Sequence, residues 1–190
     1  MLDVDVAVIP LKDRTNVDDA VDVRAPWRES ANRRTRRLGE EIGQCAQTCF
    51  AGIGKRVDAK GAVGTRSVAV LSDGGYGEAE ATFFRMVAKR LGLTVVASVE
   101  WDPRAGGYAA LASGIKRLRP DAIFLSGLLD SNGGAVVRAL RGRLPNATLL
   151  GTDGFLPISG LFATAGQAAK GMYVSLPGLT TGSIAPHGRF

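Results

Sequence analysis

Three short stretches hold the side chains best suited to chemistry. They are Ser72-Asp73-Gly74-Gly75-Tyr76-Gly77, Gly127-Leu128-Leu129-Asp130-Ser131-Asn132 and Thr152-Asp153-Gly154-Phe155. A glycine-rich turn between a strand and a helix can cradle a phosphate through its backbone amides. Phosphate loops read GxGxxG or GxxxxGK[ST]. The run Asp73-Gly74-Gly75-Tyr76-Gly77-Glu78 reads as neither, and its two acids would repel a phosphate. No GxSxG nucleophile elbow occurs. The single histidine, His187, stands near the C-terminal end, which speaks against a Ser-His-Asp arrangement. Asp73, Asp130 and Asp153 could be imagined as a magnesium cluster of the phosphoryl-accepting kind. Such a cluster needs an acid pair on the first strand and a lysine after the last, and the sequence has neither. The expectation is a protein that is not an enzyme and uses no metal or cofactor.

What the three stretches do offer is a carboxylate, a tyrosine and backbone amides freed by glycines. That inventory suits a small ligand bearing an ammonium group, paired with a carboxylate and flanked by an aromatic face. A plainer account is equally open on the residues alone. Asp73 and Asp153 then cap turns or helices, and Tyr76 packs with its hydroxyl satisfied.

These stretches need elements to bring them together. From residue 66 the pattern is regular. Strands are expected at Ser67–Ser72, Thr94–Val99, Ala122–Ser126, Ala147–Gly151 and Met172–Leu176, each a short apolar or β-branched run. Helices are expected at Glu78–Leu91, Tyr108–Leu118, Asn132–Leu144 and Ile158–Ala165. Gly92 is placed to end the first, and Ser131 or Asn132 to cap the third. This alternation predicts an α/β fold, a doubly wound parallel sheet with right-handed crossovers and helices on both faces. Ligands bind such a sheet outside the carboxyl ends of its strands. There the loops would gather Ser72, Asp73, Tyr76, Asp130, Ser131, Asn132, Asp153 and Phe155.

Residues 1–63 differ. They carry 11 basic and 10 acidic residues, against 13 and 8 in residues 64–190, so most of the net +6 charge lies in the later part. Alternation at Leu2, Val4, Val6 and Val8 suits one strand ended by Pro10, and Gln44–Ala59 could form a helix. The rest is an irregular, polar N-terminal extension or an incomplete first domain. Its basic run Arg33–Arg37 reads most simply as solvated. Cys45 and Cys49 lack CxxC spacing and suit buried small apolar positions better than zinc. The basic groups Arg85/Lys89/Arg90, Lys116/Arg117/Arg119 and Arg138/Arg141/Arg143 fall late in expected helices, where cations complement the helix dipole. With no nucleic-acid motif beside them, no nucleic-acid partner is expected. No apolar run reaches 18 residues, so no membrane insertion is expected. Met1-Leu2-Asp3-Val4-Asp5 has no basic n-region, so the sequence as written predicts no signal peptide.

The succession SVAVLSDGGYGEAE, AKRLGLTVVASVEWDP, LRPDAIFLSGLLDSNGGAVVRAL, LLGTDGF and AAKGMYVSLPG resembles the second lobe of type I periplasmic binding proteins over residues 64–190. The nearest likeness is to the branched-chain amino acid (Leu/Ile/Val) substrate-binding proteins of ABC transporters. The resemblance implies a solute-binding component that closes on a small amino-acid-like ligand and meets a transporter permease. It implies that Tyr76 covers the ligand, that Asp153 in Gly151-Thr152-Asp153-Gly154 holds its ammonium, and that Leu128 stands where a wall contact, often aromatic, follows the third strand. Ser72 and Asp130 complete the expected ligand-binding set. It also implies a periplasmic or extracellular location, whereas the chain read as complete would be cytoplasmic. A second lobe, supplied by another chain, could complete the cleft. A sensory or regulatory module of the same fold is the alternative reading, and a doubly wound enzyme a more distant one.

Overall fold

The computed structural model describes residues 6–10, 21–23, 66–90 and 92–177. The expectations for Gln44–Ala59, Arg33–Arg37, Cys45, Cys49 and His187 lie outside these residues. In chain order the elements are β1 (Val6–Pro10), β2 (Val21–Val23), β3 (Ser67–Ser72), α1 (Tyr76–Arg90), β4 (Thr94–Glu100), α2 (Ala109–Leu118), β5 (Ala122–Ser126), α3 (Gly133–Arg143), β6 (Thr148–Gly151), α4 (Ile158–Ala165) and β7 (Tyr173–Pro177).

The sheet runs β2-β1-β7-β6-β5-β3-β4. Its five strands from β7 to β4 are all parallel. The early part of the chain supplies two further strands where the sequence pointed to one. β1 pairs antiparallel with β7, and β2 with β1.

The chain passes from β3 out to β4, then returns to the other side of β3 to lay down β5. Right-handed crossovers in opposite directions put helices on opposite faces. Alternate residues along each strand face opposite ways, and the two cores follow from that. Val68, Val70 and Phe124 pack with Ala81, Phe84 and Val87 of α1. Ala69, Leu71, Ile123, Leu125 and Leu149 pack with Ile115 of α2, Val136, Val137 and Leu140 of α3, and Leu161 and Phe162 of α4. Burying each large apolar side chain contributes about 1.5–3 kcal/mol before entropy is counted. Phe84 and Phe124 stack with ring centroids 3.8 Å apart and planes within 11°.

Two ends of helices show what sets their limits. Gly92 has φ 73° and returns its amide to the Lys89 carbonyl, a left-handed stop that suits glycine. At α3 the expected side-chain cap is absent. Asn132 holds the cap position, but at φ 64° and with no side-chain cap bond. Its conformation is set by the preceding short turn Leu129–Ser131, which it closes by donating its amide to the Leu129 carbonyl. At the opposite edge of the sheet, Asp121 accepts the amides of Arg66 and Ser67 and the Ser67 hydroxyl, a purely connecting role.

Candidate functional site

Because the chain departs from β3 and β5 in different directions, the loops after these two strands part at the carboxyl edge of the sheet. Asp73 spans that gap. Its Oδ1 accepts the amides of Gly75 at 3.1 Å and Gly77 at 2.8 Å, and its Oδ2 accepts the Leu128 amide at 3.0 Å. Burial works against the charge of this carboxylate. Bonds from Gly77, Leu128, the Ser131 side chain and Gly75 outweigh burial and hold Asp73 below its ordinary value. The Gly75 and Gly77 amides are therefore satisfied by a residue of the same loop. Asp73 is the capping group of α1.

The first turn of α1 lies directly against β5. A Cβ on Gly77 would stand 1.9 Å from the Ser126 carbonyl oxygen, so the approach requires glycine. The Ser126 hydroxyl donates to the Gly77 carbonyl at 2.5 Å and lies 3.2 Å from Oε2 of Glu80. Glu80 is 4% exposed. Burial pushes its carboxyl up to about 7; the negative charges of Asp153 and Asp73 add to this, while Thr152 and Ser126 oppose it. Thr152 Oγ1 is buried and completes no hydrogen bond of good geometry, although it is near enough to act on the Glu80 carboxyl.

Asp153 opens the short turn Asp153–Phe155 after β6 and is partly exposed. Burial raises its carboxyl above the usual value, against bonds from its own amide and that of Gly154. A Cβ on Gly154 would stand 2.1 Å from the Gly127 carbonyl oxygen, and Leu128 is its next neighbour. The loops after β5 and β6 are thus in contact. Around the edge stand three large exposed apolar side chains, Tyr76 (50%), Leu128 (37%) and Leu156 (38%).

The remaining expected residues divide. Ser72 is buried, and its hydroxyl donates to Glu78 Oε2 at 2.8 Å. Glu78 also pairs with Arg85 at 3.0 Å. Asp130 is exposed on the Leu129–Ser131 turn. Phe155 is fully buried and packs against Gly133 and Gly151. Four contributors were not read from the sequence: Glu80, Ser126, Thr152 and Trp101. Trp101 is buried and donates its Nε1 proton to the Ser131 carbonyl at 2.8 Å, bracing the loop after β5. Glu80 had a visible signal, since Gly77, Glu80, Ala81, Phe84 and Val87 fall at the i, i+3, i+4 spacing of a buried helix face.

Among the described residues, no group of three His, Cys, Asp or Glu is placed to hold a metal ion. Nor is any described helix long and apolar enough to cross a membrane. The edge presents the partly exposed Asp153 carboxylate and the exposed Asp130 beside an apolar rim.

No protein-family model matches the chain, and neither does any curated protein. Solved structures do match. An extracellular ligand-binding receptor from Rhodopseudomonas palustris superposes with a TM-score of 0.60 at 18% identity, over 70% of this chain and 34% of its own. A structure described as a putative branched-chain amino acid ABC transporter from Rhodospirillum rubrum gives 0.58 at 22%, over 70% and 36%. The leucine-binding protein from Thermotoga maritima gives 0.57 at 20%, over 70% and 35%. The chain spans about a third of the length of these structures. At such identities the likeness shows the fold, which is that of a lobe of the type I periplasmic binding proteins.

Proposed function

We propose that residues 64–190 form a ligand-binding lobe of an ABC-transporter-type solute receptor, exported to the periplasm or cell exterior, for a small amino-acid-like ligand. Asp153 pairs with the ligand's ammonium, Tyr76 covers it, and Leu128 forms an apolar wall. Asp130 adds negative charge at the rim. Ser72, engaged with Glu78, holds the first turn of α1 in place. An opposing lobe buries the ligand's other side, and the closed pair presents a surface to a permease.

One observation carries this reading. Asp153 is a partly exposed carboxylate at the carboxyl edge of the sheet, on an edge framed by exposed Tyr76, Leu128 and Leu156. A group of that kind selects a ligand with a cation at one end and hydrocarbon at the other. The named matches, receptors and transporter binding proteins, are consistent with it.

The test is thermal stability of the protein titrated with leucine, isoleucine, valine, polar amino acids and 4-methylpentanoate, which is leucine without its amino group. Binding to the folded state alone raises the melting temperature. The amino acids are expected to raise it and 4-methylpentanoate to leave it unchanged. Equal shifts with and without the amino group would refute ammonium recognition, and no shift at millimolar amino acid would refute the ligand class.

A further inference from the structure

We propose that Glu80 determines the charge this site accepts: with Asp153 it forms a two-carboxyl floor that keeps a proton when empty and releases it to solvent when a positively charged group settles beside Asp153. The proposal rests on the reading of this edge as a cation-binding ligand site and names its regulation.

Hydrogen-bond bookkeeping at Ser126 supports the neutral form of Glu80. A serine hydroxyl has one proton to give. The Gly77 carbonyl can only accept, and at 2.5 Å it takes that proton. The contact between Ser126 Oγ and Glu80 Oε2 at 3.2 Å then needs a proton from Glu80, which a carboxylic acid has and a carboxylate lacks. The second oxygen of that acid remains an acceptor for the Thr152 hydroxyl, which is 1% exposed and otherwise without a hydrogen-bond partner.

Among the described residues, no cation acts on the Glu80 carboxyl. The negative charges of Asp153, in the loop after β6, and of Asp73, in the loop after β3, both act on it. The ends of β5 and β6 bring the neutral hydroxyls of Ser126 and Thr152. β7 brings Tyr173 to the same face of the sheet. On its own helix, Glu78 is turned to Ser72 and Arg85. Burial and these two acids hold the proton on Glu80 to about pH 7. A carboxylate so buried needs a paired charge, and the ligand is the place it can come from. An ammonium beside Asp153 offsets the repulsion that kept Glu80 neutral, and the proton leaves to water.

Calorimetric titration tests this in two buffers of different ionisation heat, phosphate and Tris, at pH 6, 7 and 8. The probes are L-leucine and butylammonium chloride, with infrared difference spectra of the protonated carboxyl band on the same samples. Expected are release of roughly half a proton per probe at pH 7 and an affinity that rises about tenfold from pH 6 to 8. Glu80→Gln should bind with neither effect. If that variant does not fold, the wild-type proton count and carboxyl band decide alone. Leucine binding without proton release overturns the proposal and leaves the amino-acid reading standing. Proton release with butylammonium but no leucine binding supports the proposal and removes the amino-acid reading. No binding and no change in the carboxyl band with either probe overturns it.

Discussion

The Asp73 carboxylate accepts the Leu128 amide at 3.0 Å, and this bond joins the two loops that part where the strand order reverses. The same carboxylate accepts the amides of Gly75, just before α1, and of Gly77, in its first turn. Asp73→Asn keeps the shape but turns one acceptor into a donor, leaving amides without a partner. A loss of about 1–3 kcal/mol in urea unfolding is expected. The folded carboxyl titrates below its ordinary value. Its contribution is therefore present above about pH 4 and fades as pH falls through the folded value. The variant's stability should depend less on pH in that acid range.

Asp153 should show the opposite balance. Burial raises its carboxyl, so its ionised form costs stability in the empty protein. Asp153→Asn is expected to be as stable as the parent or slightly more so, and to lose at least tenfold in affinity for any ammonium ligand. A destabilised variant with unchanged affinity would make Asp153 a structural residue.

Glu80 governs a different pH window. Its folded value of about 7 stands above the ordinary 4.5. Between these values the folded chain binds more protons than the unfolded one, so stability falls as pH rises across that interval. A difference of this size corresponds to at most about 3 kcal/mol. Denaturant midpoints measured from pH 5 to 8 should decline in the wild type. The decline should be much smaller in Glu80→Gln, and identical slopes would place the titrating group elsewhere.

Glycines offer a steric comparison. Gly77→Ala would drive a Cβ into the Ser126 carbonyl, a backbone atom that cannot swing aside. A loss of about 1–3 kcal/mol is expected, with the ligand edge disturbed. Gly142, within α3, has nothing within 4 Å of a Cβ. Gly142→Ala should stabilise by about 0.5–1 kcal/mol through helix propensity. Melting temperatures of the two variants should move in opposite directions.

The sequence made much of this visible. Ser67–Ser72, Ala122–Ser126 and Ile158–Ala165 begin and end where apolar runs meet glycine, proline or polar residues. Tyr76, Leu128 and Asp153 lie at one edge because loops after parallel strands must share it. Strand β2 was not visible, since Val21 and Val23 flank Asp22 within a charged stretch and gain a pattern only by pairing with β1. The spacing put Glu80 on the buried face of its helix, but its polar partners were hidden for a related reason. An acid within an amphipathic helix ordinarily faces water, and what buries this one includes Ser126, 46 residues further along. Periodicity reports which face of a helix is apolar, but it is silent on which distant hydroxyls await a polar residue there.

The stacked pair Phe84 and Phe124 has a mechanical consequence. Glu80 lies one helical turn before Phe84, and Gly77 sits against β5 less than one turn before that. Clamped at both places, the start of α1 has little freedom to slide or tilt when the charge in front of it changes. A softer helix would answer a new positive charge by shifting its atoms. This one is stiff, so the cheaper response is to change its chemical state.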